Sequence, residues 1–172
     1  MKTLIVYASK HGATRQYAEL LAGQLPGETR LVDLKKDPGV DVSPFDTVVV
    51  GGAVYFGQVQ KEVREFCARN LATLRQKRLG LFICCLFGGQ EAAKQLQAAF
   101  PAELLATALV KDAFGGRLDE SQLSFSERLI TRMIVRSAGI GQDGSAPTFT
   151  ETVARFAERL QTNSGSKGST AK

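Results

Sequence analysis

The sequence predicts an α/β fold, a five-stranded parallel sheet in the order 2-1-3-4-5 with helices on both faces. Three observations predict it. Short apolar runs alternate with segments of helical periodicity along most of the 172 residues, the pattern of repeated βαβ units. The runs "TLIVYA", "DTVVVGG" and "LGLFICCLF" are apolar nearly throughout, as in strands buried on both faces. Each leads through a short loop containing glycine into a helical pattern. Length and a hydrophobic share of 44% suit one domain with a sizeable core.

The elements follow in order. Thr3–Ala8 reads as the first strand and Thr14–Leu25 as the first helix, with Tyr17, Leu21 and Leu25 on one face. Thr29–Leu34 is a short second strand, and Asp46–Gly52 is a third, carrying a β-branched run. A helix over Lys61–Leu74 places Val63, Phe66, Cys67, Asn70 and Leu71 at helical spacing. Leu79–Phe87 is the fourth strand, broken by Gly88 and Gly89. Glu91–Phe100 is a helix stopped by Pro101, and the fifth strand lies within Leu104–Phe114. Two further helices open on capping-box patterns, Ser124-Phe-Ser-Glu127 and Thr148-Phe-Thr-Glu151. The last carries Phe149, Val153, Phe156, Ala157 and Leu160 on one face. The domain is expected to span 1–161; residues 162–172, a polar Ser/Gly/Lys/Thr stretch, read as a disordered tail.

Composition narrows the function classes. Lysine and arginine number 22 against 17 acidic residues, so the chain is moderately basic at +5 and suits anionic partners. There is no Trp, and the aromatics are not interleaved with a basic run, so nothing points to nucleic acid. Cys67, Cys84 and Cys85 are odd in number and two are adjacent, which reads as core filling rather than a disulfide framework. A strand begins within three residues of Met1, and no apolar run approaches a membrane span. The expected compartment is cytoplasmic, with peripheral contact at the inner face of a membrane left open.

In a doubly wound sheet, ligands sit outside the carboxyl ends of the strands at the point where strand order reverses. Three loops fall there. Ser9-Lys10-His11-Gly12-Ala13-Thr14 opens the first helix, whose N-terminus presents unpaired N–H groups and partial positive charge. It is either a phosphate cradle or an ordinary turn capped by hydroxyls. The second loop, Gly51 to Gln60, contains Val54, Tyr55, Phe56 and Gly57, aromatics between glycines that suit stacking on a flat ring. The third, Leu86, Phe87, Gly88 and Gly89, again lets a flat group lie against backbone. Together they fit a ligand with a phosphate at one end and a planar ring at the other. His11 is the only histidine, and no second ligand or carboxylate beside it completes a metal site or a triad. No catalytic side chain and no metal site are assigned.

These residues resemble a known family. "SKHGAT" opening the first helix is similar to the phosphate loop of flavodoxin-like proteins. With "VVVGGAVYFGQVQKEVREF" (Val48–Phe66) and "AFGGRLDESQLSFSERLITRMIVRSAG" (Ala113–Gly139), the chain resembles the branch containing menaquinone-dependent protoporphyrinogen oxidase. The resemblance covers about Lys2–Leu160 and implies a flavodoxin-like three-layer sandwich that binds FMN. It places the 5′-phosphate at Ser9 to Thr14, the isoalloxazine against Val54 to Gly57, and Leu86 to Gly89 on its other side. Which aromatic stacks stays open. It also implies an oxidoreductase with a redox partner or quinone, and porphyrinogen as a substrate; an electron carrier without turnover is the alternative. The branch has a long basic insertion after the fourth strand, where this chain has only "FGGQEAAKQLQAAFP", which reads as a plain helix.

One stripe stands apart. At about 100° per residue, Arg128, Arg132 and Arg136 fall on one helix face, opposite Leu129, Ile130, Met133 and Ile134. It is either a solvated basic face or a surface for anionic lipid headgroups or substrate carboxylates.

Overall fold

The computed structural model describes residues 1–85, 87–115 and 149–162. The helix expected from Ser124, the arginine stripe, Leu86, most of the Ala113–Gly139 match and residues 163–172 lie outside the described residues.

Five parallel strands form the sheet: β1 (Lys2–Ala8), β2 (Glu28–Asp33), β3 (Thr47–Tyr55), β5 (Arg78–Cys85) and β6 (Val110–Gly115). Their order is β2-β1-β3-β5-β6, the expected 2-1-3-4-5 in these labels. The structure adds a short strand, β4 (Gln58–Val59), which pairs antiparallel with the end of β3, Val54 opposite Val59 and Tyr55 opposite Gln58. The stretch Gly51 to Gln60, expected to be a loop, is therefore a hairpin. The helices are α1 (Ala13–Ala22), α2 (Lys61–Arg69), α3 (Leu71–Leu74), α4 (Gly89–Ala99), α5 (Ala102–Thr107) and α6 (Phe149–Thr162).

Alternation along the strands divides the core. Leu4, Val6 and Ala8 of β1, with Val48 and Val50 of β3 and Leu79, Leu81 and Ile83 of β5, face one side. They pack with Val63 and Phe66 of α2, Leu74 of α3, Leu96 of α4 and Leu104 of α5. Ile5, Tyr7, Val49, Phe82 and Phe114 face the other, under Tyr17 and Leu21 of α1 and Val153, Phe156 and Leu160 of α6. Both sides of the central strands are buried, which is why they read as unbroken apolar runs.

Four boundaries differ from expectation. Helix α1 ends at Ala22 rather than Leu25, because Gly23 is a poor helix former and Gln24 N–H closes a tighter turn on Leu21 C=O. Lys61–Leu74 is two helices, since the Asn70 side chain bonds the Phe66 carbonyl at 3.0 Å and ends α2. Leu104 to Thr107 is helical in α5, with Pro101 capping a new helix where a plain stop was expected; the strand begins at Val110. Helix α6 includes Thr162, the residue at which the tail was expected to start.

Candidate functional site at the carboxyl edge of the sheet

Parallel register sets where the loops emerge. Ala8 pairs with Gly52, Ala53 with Cys84, and Cys85 with Gly115, so β1, β3, β5 and β6 all end at one edge. The loops after β1, β3 and β5, those singled out in the sequence, share it.

The first loop is short and held from within. Ser9 Oγ accepts the Gly12 N–H at 3.0 Å. Gly12 stands at the helix start with φ +87°, a left-handed conformation that a side chain rarely adopts. A Cβ there would meet nothing within 4 Å, so conformation and not space requires the glycine. No side chain caps α1 and no acidic residue occupies its first turn, which leaves its first N–H groups and its positive end for an anion. Thr14, in that first turn, is fully buried, and its Oγ1 has no hydrogen-bond partner among the described residues. The Thr14 hydroxyl faces the Cys84 thiol and acts to lower its pKa, although the pair does not meet full hydrogen-bond geometry. Burial dominates there and pushes the Cys84 thiol up to about 12. Ala13 is half-buried beside it.

The second loop reaches back to the first. The Tyr55 ring meets His11 edge-on at 5.9 Å between centroids, and Lys10 Nζ lies 5.6 Å from the centre of the same ring. His11 is thus a packing neighbour of Tyr55. Phe56 is 78% exposed and has φ +50°; Gly57 follows with φ +76°. Two successive positive φ values across a two-residue hairpin loop make the tight turn that matches the twist of β3 and β4. Gly usually fills such a site at no cost, whereas phenylalanine is strained there. Val54 is half-buried at the base of the hairpin, and Gln60 Oε1 accepts the Ala53 N–H at 3.2 Å.

Gly51 and Gly52, which precede the aromatics in this stretch, serve packing. Both are buried within β3, and added Cβ atoms would lie 2.1 Å from the Phe82 ring and 2.5 Å from the Val59 side chain respectively.

In the third loop Phe87 is half-buried, and its carbonyl accepts the Cys85 thiol at 3.4 Å. Gly88 and Gly89 are exposed, Gly89 with φ +56°, and they open α4 without a side-chain cap. Added Cβ atoms at either position would meet nothing within 4 Å, so open backbone faces the edge here. Among the described residues no cluster of His, Cys, Asp and Glu could hold a metal ion, and no helix is long and apolar enough to cross a membrane. Sequence reasoning missed the hairpin and Gln60; the Gly after Phe56 was the available signal, masked by an aromatic where Asn or Gly is usual.

Fold and edge define a class: a doubly wound α/β protein whose ligand edge lies where strand order reverses between β1 and β3. The particular family follows from comparison. A family model described as a flavodoxin domain matches residues 4–144, and the chain belongs to that family. FMN is the family's cofactor and the cofactor of this chain. Flavodoxin 2 from Bacillus cereus superposes with a TM-score of 0.61 at 16% identity, covering 95% of this chain and 99% of that one. A flavodoxin from Streptococcus pneumonia TIGR4 gives 0.55 at 19% identity, covering 95% and 99%. Megasphaera elsdenii flavodoxin gives 0.54 at 16%, covering 91% and 98%. At such identities the likeness is one of fold. No curated protein sequence matches the chain significantly.

The residues present fit FMN. A buried threonine hydroxyl without a partner stands in the first turn of an uncapped helix, where it could donate a hydrogen bond to a phosphate oxygen.

Proposed function

We propose that this chain is an FMN-dependent electron-transfer protein. In this reading Ser9 to Thr14 hold the 5′-phosphate, the Val54–Gly57 hairpin covers one side of the flavin ring, and Gly88 and Gly89 approach the other. The observation that carries it is the unpartnered, fully buried Thr14 hydroxyl at the start of α1. Bound FMN supplies the redox chemistry; the chain's part is to bind, orient and shield it. Backbone N–H groups at the start of α1 and the Thr14 hydroxyl would donate hydrogen bonds to the phosphate oxygens. Tyr55 is already held by His11 and Lys10, so Phe56, exposed and strained, is the aromatic left for the ring. Absorbance spectra of the purified protein, with and without added FMN, test the reading. Bound flavin is expected, and a spectrum that stays flavin-free and unresponsive would refute it.

A second reading is a protoporphyrinogen oxidase-like enzyme that passes electrons to a quinone. The Val48–Phe66 and Ala113–Gly139 resemblance favours it, as does the +5 charge, which suits anionic substrates or lipid. The short segment that forms α4, in place of the branch's insertion, counts against it. Porphyrinogen turnover by the FMN-loaded protein with a menaquinone analogue separates the two: a carrier exchanges single electrons with a reductase and leaves porphyrinogen untouched. Peripheral membrane contact through Arg128, Arg132 and Arg136 belongs to this second reading, and co-sedimentation with anionic vesicles tests it.

A further inference from the structure

The phosphate loop is held from outside as well as from within. Lys35 Nζ donates to the Ser9 carbonyl at 2.7 Å, from a position 26 residues further along the chain. The lysine is placed by a rigid turn. Leu34 N–H bonds the Tyr7 carbonyl at 2.8 Å, which continues the β1–β2 pairing one residue past β2 and buries Leu34. Asp33 Oδ1 accepts the Lys35 N–H at 3.0 Å, and the Asp33 carbonyl accepts Lys36 N–H and Asp37 N–H. The backbone of Lys35 is thus tied to β1 and to its own turn, and its ammonium reaches the residue that opens the loop.

Ser9 is pinned at two atoms: its Oγ holds Gly12 N–H, and its carbonyl is held by Lys35. Together with the contacts of Lys10 and His11 with Tyr55 and the bond from Gln16 N–H to the Gly12 carbonyl, these two bonds help set where the α1 N-terminus opens. An ammonium has three donors, and one suffices for the carbonyl. Its charge remains to favour a dianion at the adjoining helix end. Of the two acidic side chains in this turn, Asp33 accepts the Lys35 N–H and Asp37 is engaged by Arg30 at 3.7 Å.

We propose that Lys35 is a positioning residue for the cofactor phosphate: it clamps the loop through Ser9 and brings positive charge to the site from the turn after β2. This inference rests on the reading of Ser9 to Thr14 as the phosphate cradle. It concerns FMN and not riboflavin, because only FMN carries the phosphate.

The test is fluorescence titration of the apoprotein with FMN and, separately, with riboflavin, for the native chain and for Lys35→Met, Lys35→Arg and Thr14→Ala. Lys35→Met is expected to raise the FMN dissociation constant about fivefold, the upper end for one solvent-exposed charge interaction. Riboflavin binding should stay the same. Lys35→Arg, which keeps charge and donor, should restore FMN affinity to within about twofold of native. The salt dependence of FMN binding should flatten in Lys35→Met. Unchanged FMN affinity in Lys35→Met, or an equal loss for riboflavin, overturns the proposal. Thr14→Ala separates the two levels: if it too leaves FMN affinity intact, the phosphate cradle itself is misplaced, whereas a loss there with none in Lys35→Met rejects the clamp alone. Lys35 is exposed, so the Lys35 variants leave the fold in place.

Discussion

The Phe82 ring occupies the space where a Cβ on Gly51 would stand, with an ideal Cβ there only 2.1 Å from Phe82 Cζ. The two residues pair across β3 and β5, and Phe82 is in turn stacked on Phe114 at 4.8 Å and meets Phe156 edge-on. The ring cannot yield without disturbing that aromatic cluster. Gly51→Ala is therefore expected to cost about 3 kcal/mol in urea unfolding, the upper range for overpacking a close-packed core. Phe82→Leu should relieve part of it, so the double variant should be more stable than the sum of the single effects requires. Additive losses would show that the contact is not the reason for the glycine.

Gly51 also shows what could be read from the chain and what could not. The alternation of strands and helices was legible because periodicity and apolar runs reflect burial directly, and the sheet order and the edge where three loops meet followed from the known doubly wound arrangement of such units. So was the core role of Cys67, Cys84 and Cys85, all buried and free. Why Gly51 and Gly52 are glycines was not legible, because a glycine demanded by a neighbouring side chain looks the same in sequence as one demanded by a cofactor. The Phe56-Gly57 turn was hidden for a related reason: hairpin chemistry favours Asn or Gly first, and a phenylalanine there follows a rule outside local backbone preference. Lys35 could not be found, since its contact with Ser9 depends on the turn after β2 and on the reach of a long side chain, which strand order alone does not give.

The thiols give the alkaline behaviour a direction. Burial pushes both Cys67 and Cys84 up to about 12 from an ordinary 9. Above pH 9 the unfolded chain loses these protons while the folded chain keeps them, so the unfolded state binds fewer protons and stability falls with rising pH. The contribution is complete below pH 9 and is lost between pH 9 and about 12. Urea midpoints at pH 8 and pH 10.5 should differ less in Cys67→Ala than in the native chain. A thiol reagent at pH 8 should leave the folded protein unlabelled and label all three cysteines in urea. Rapid labelling of the native protein would contradict the burial.

Thr14→Ala should act on the cofactor and spare the fold. Its Oγ1 is buried without a partner, so deleting it removes an unsatisfied group, which offsets the loss of the buried Cγ2 methyl, and apoprotein stability should change by less than about 1 kcal/mol. FMN affinity should fall by about 1–3 kcal/mol, the scale of a hydrogen bond to a charged group. Calorimetric titration with FMN and urea unfolding of the apoprotein, run on the same preparation, check both halves. A destabilised apoprotein with native FMN affinity would make Thr14 a structural residue.

Phe56 sets stability against binding. With φ +50° and 78% exposure it bears backbone strain without the return of burial. Phe56→Asn places before Gly57 the pair that this turn prefers, and should stabilise the apoprotein by about 1 kcal/mol. The same change removes the aromatic face from the hairpin and should weaken FMN about tenfold, the scale of one aromatic contact with its buried area. Phe56→Tyr keeps both ring and strain, so it should match the native chain in both measurements. Tyr55→Phe keeps the ring that His11 and Lys10 contact and should leave FMN affinity near native, because Tyr55 holds the first loop to the hairpin. Opposite shifts in urea midpoint and FMN affinity for Phe56→Asn would mark Phe56 as a residue kept for the flavin. Parallel shifts, or no gain in stability, would mean that the turn is native to this backbone and that the ring is covered by another group.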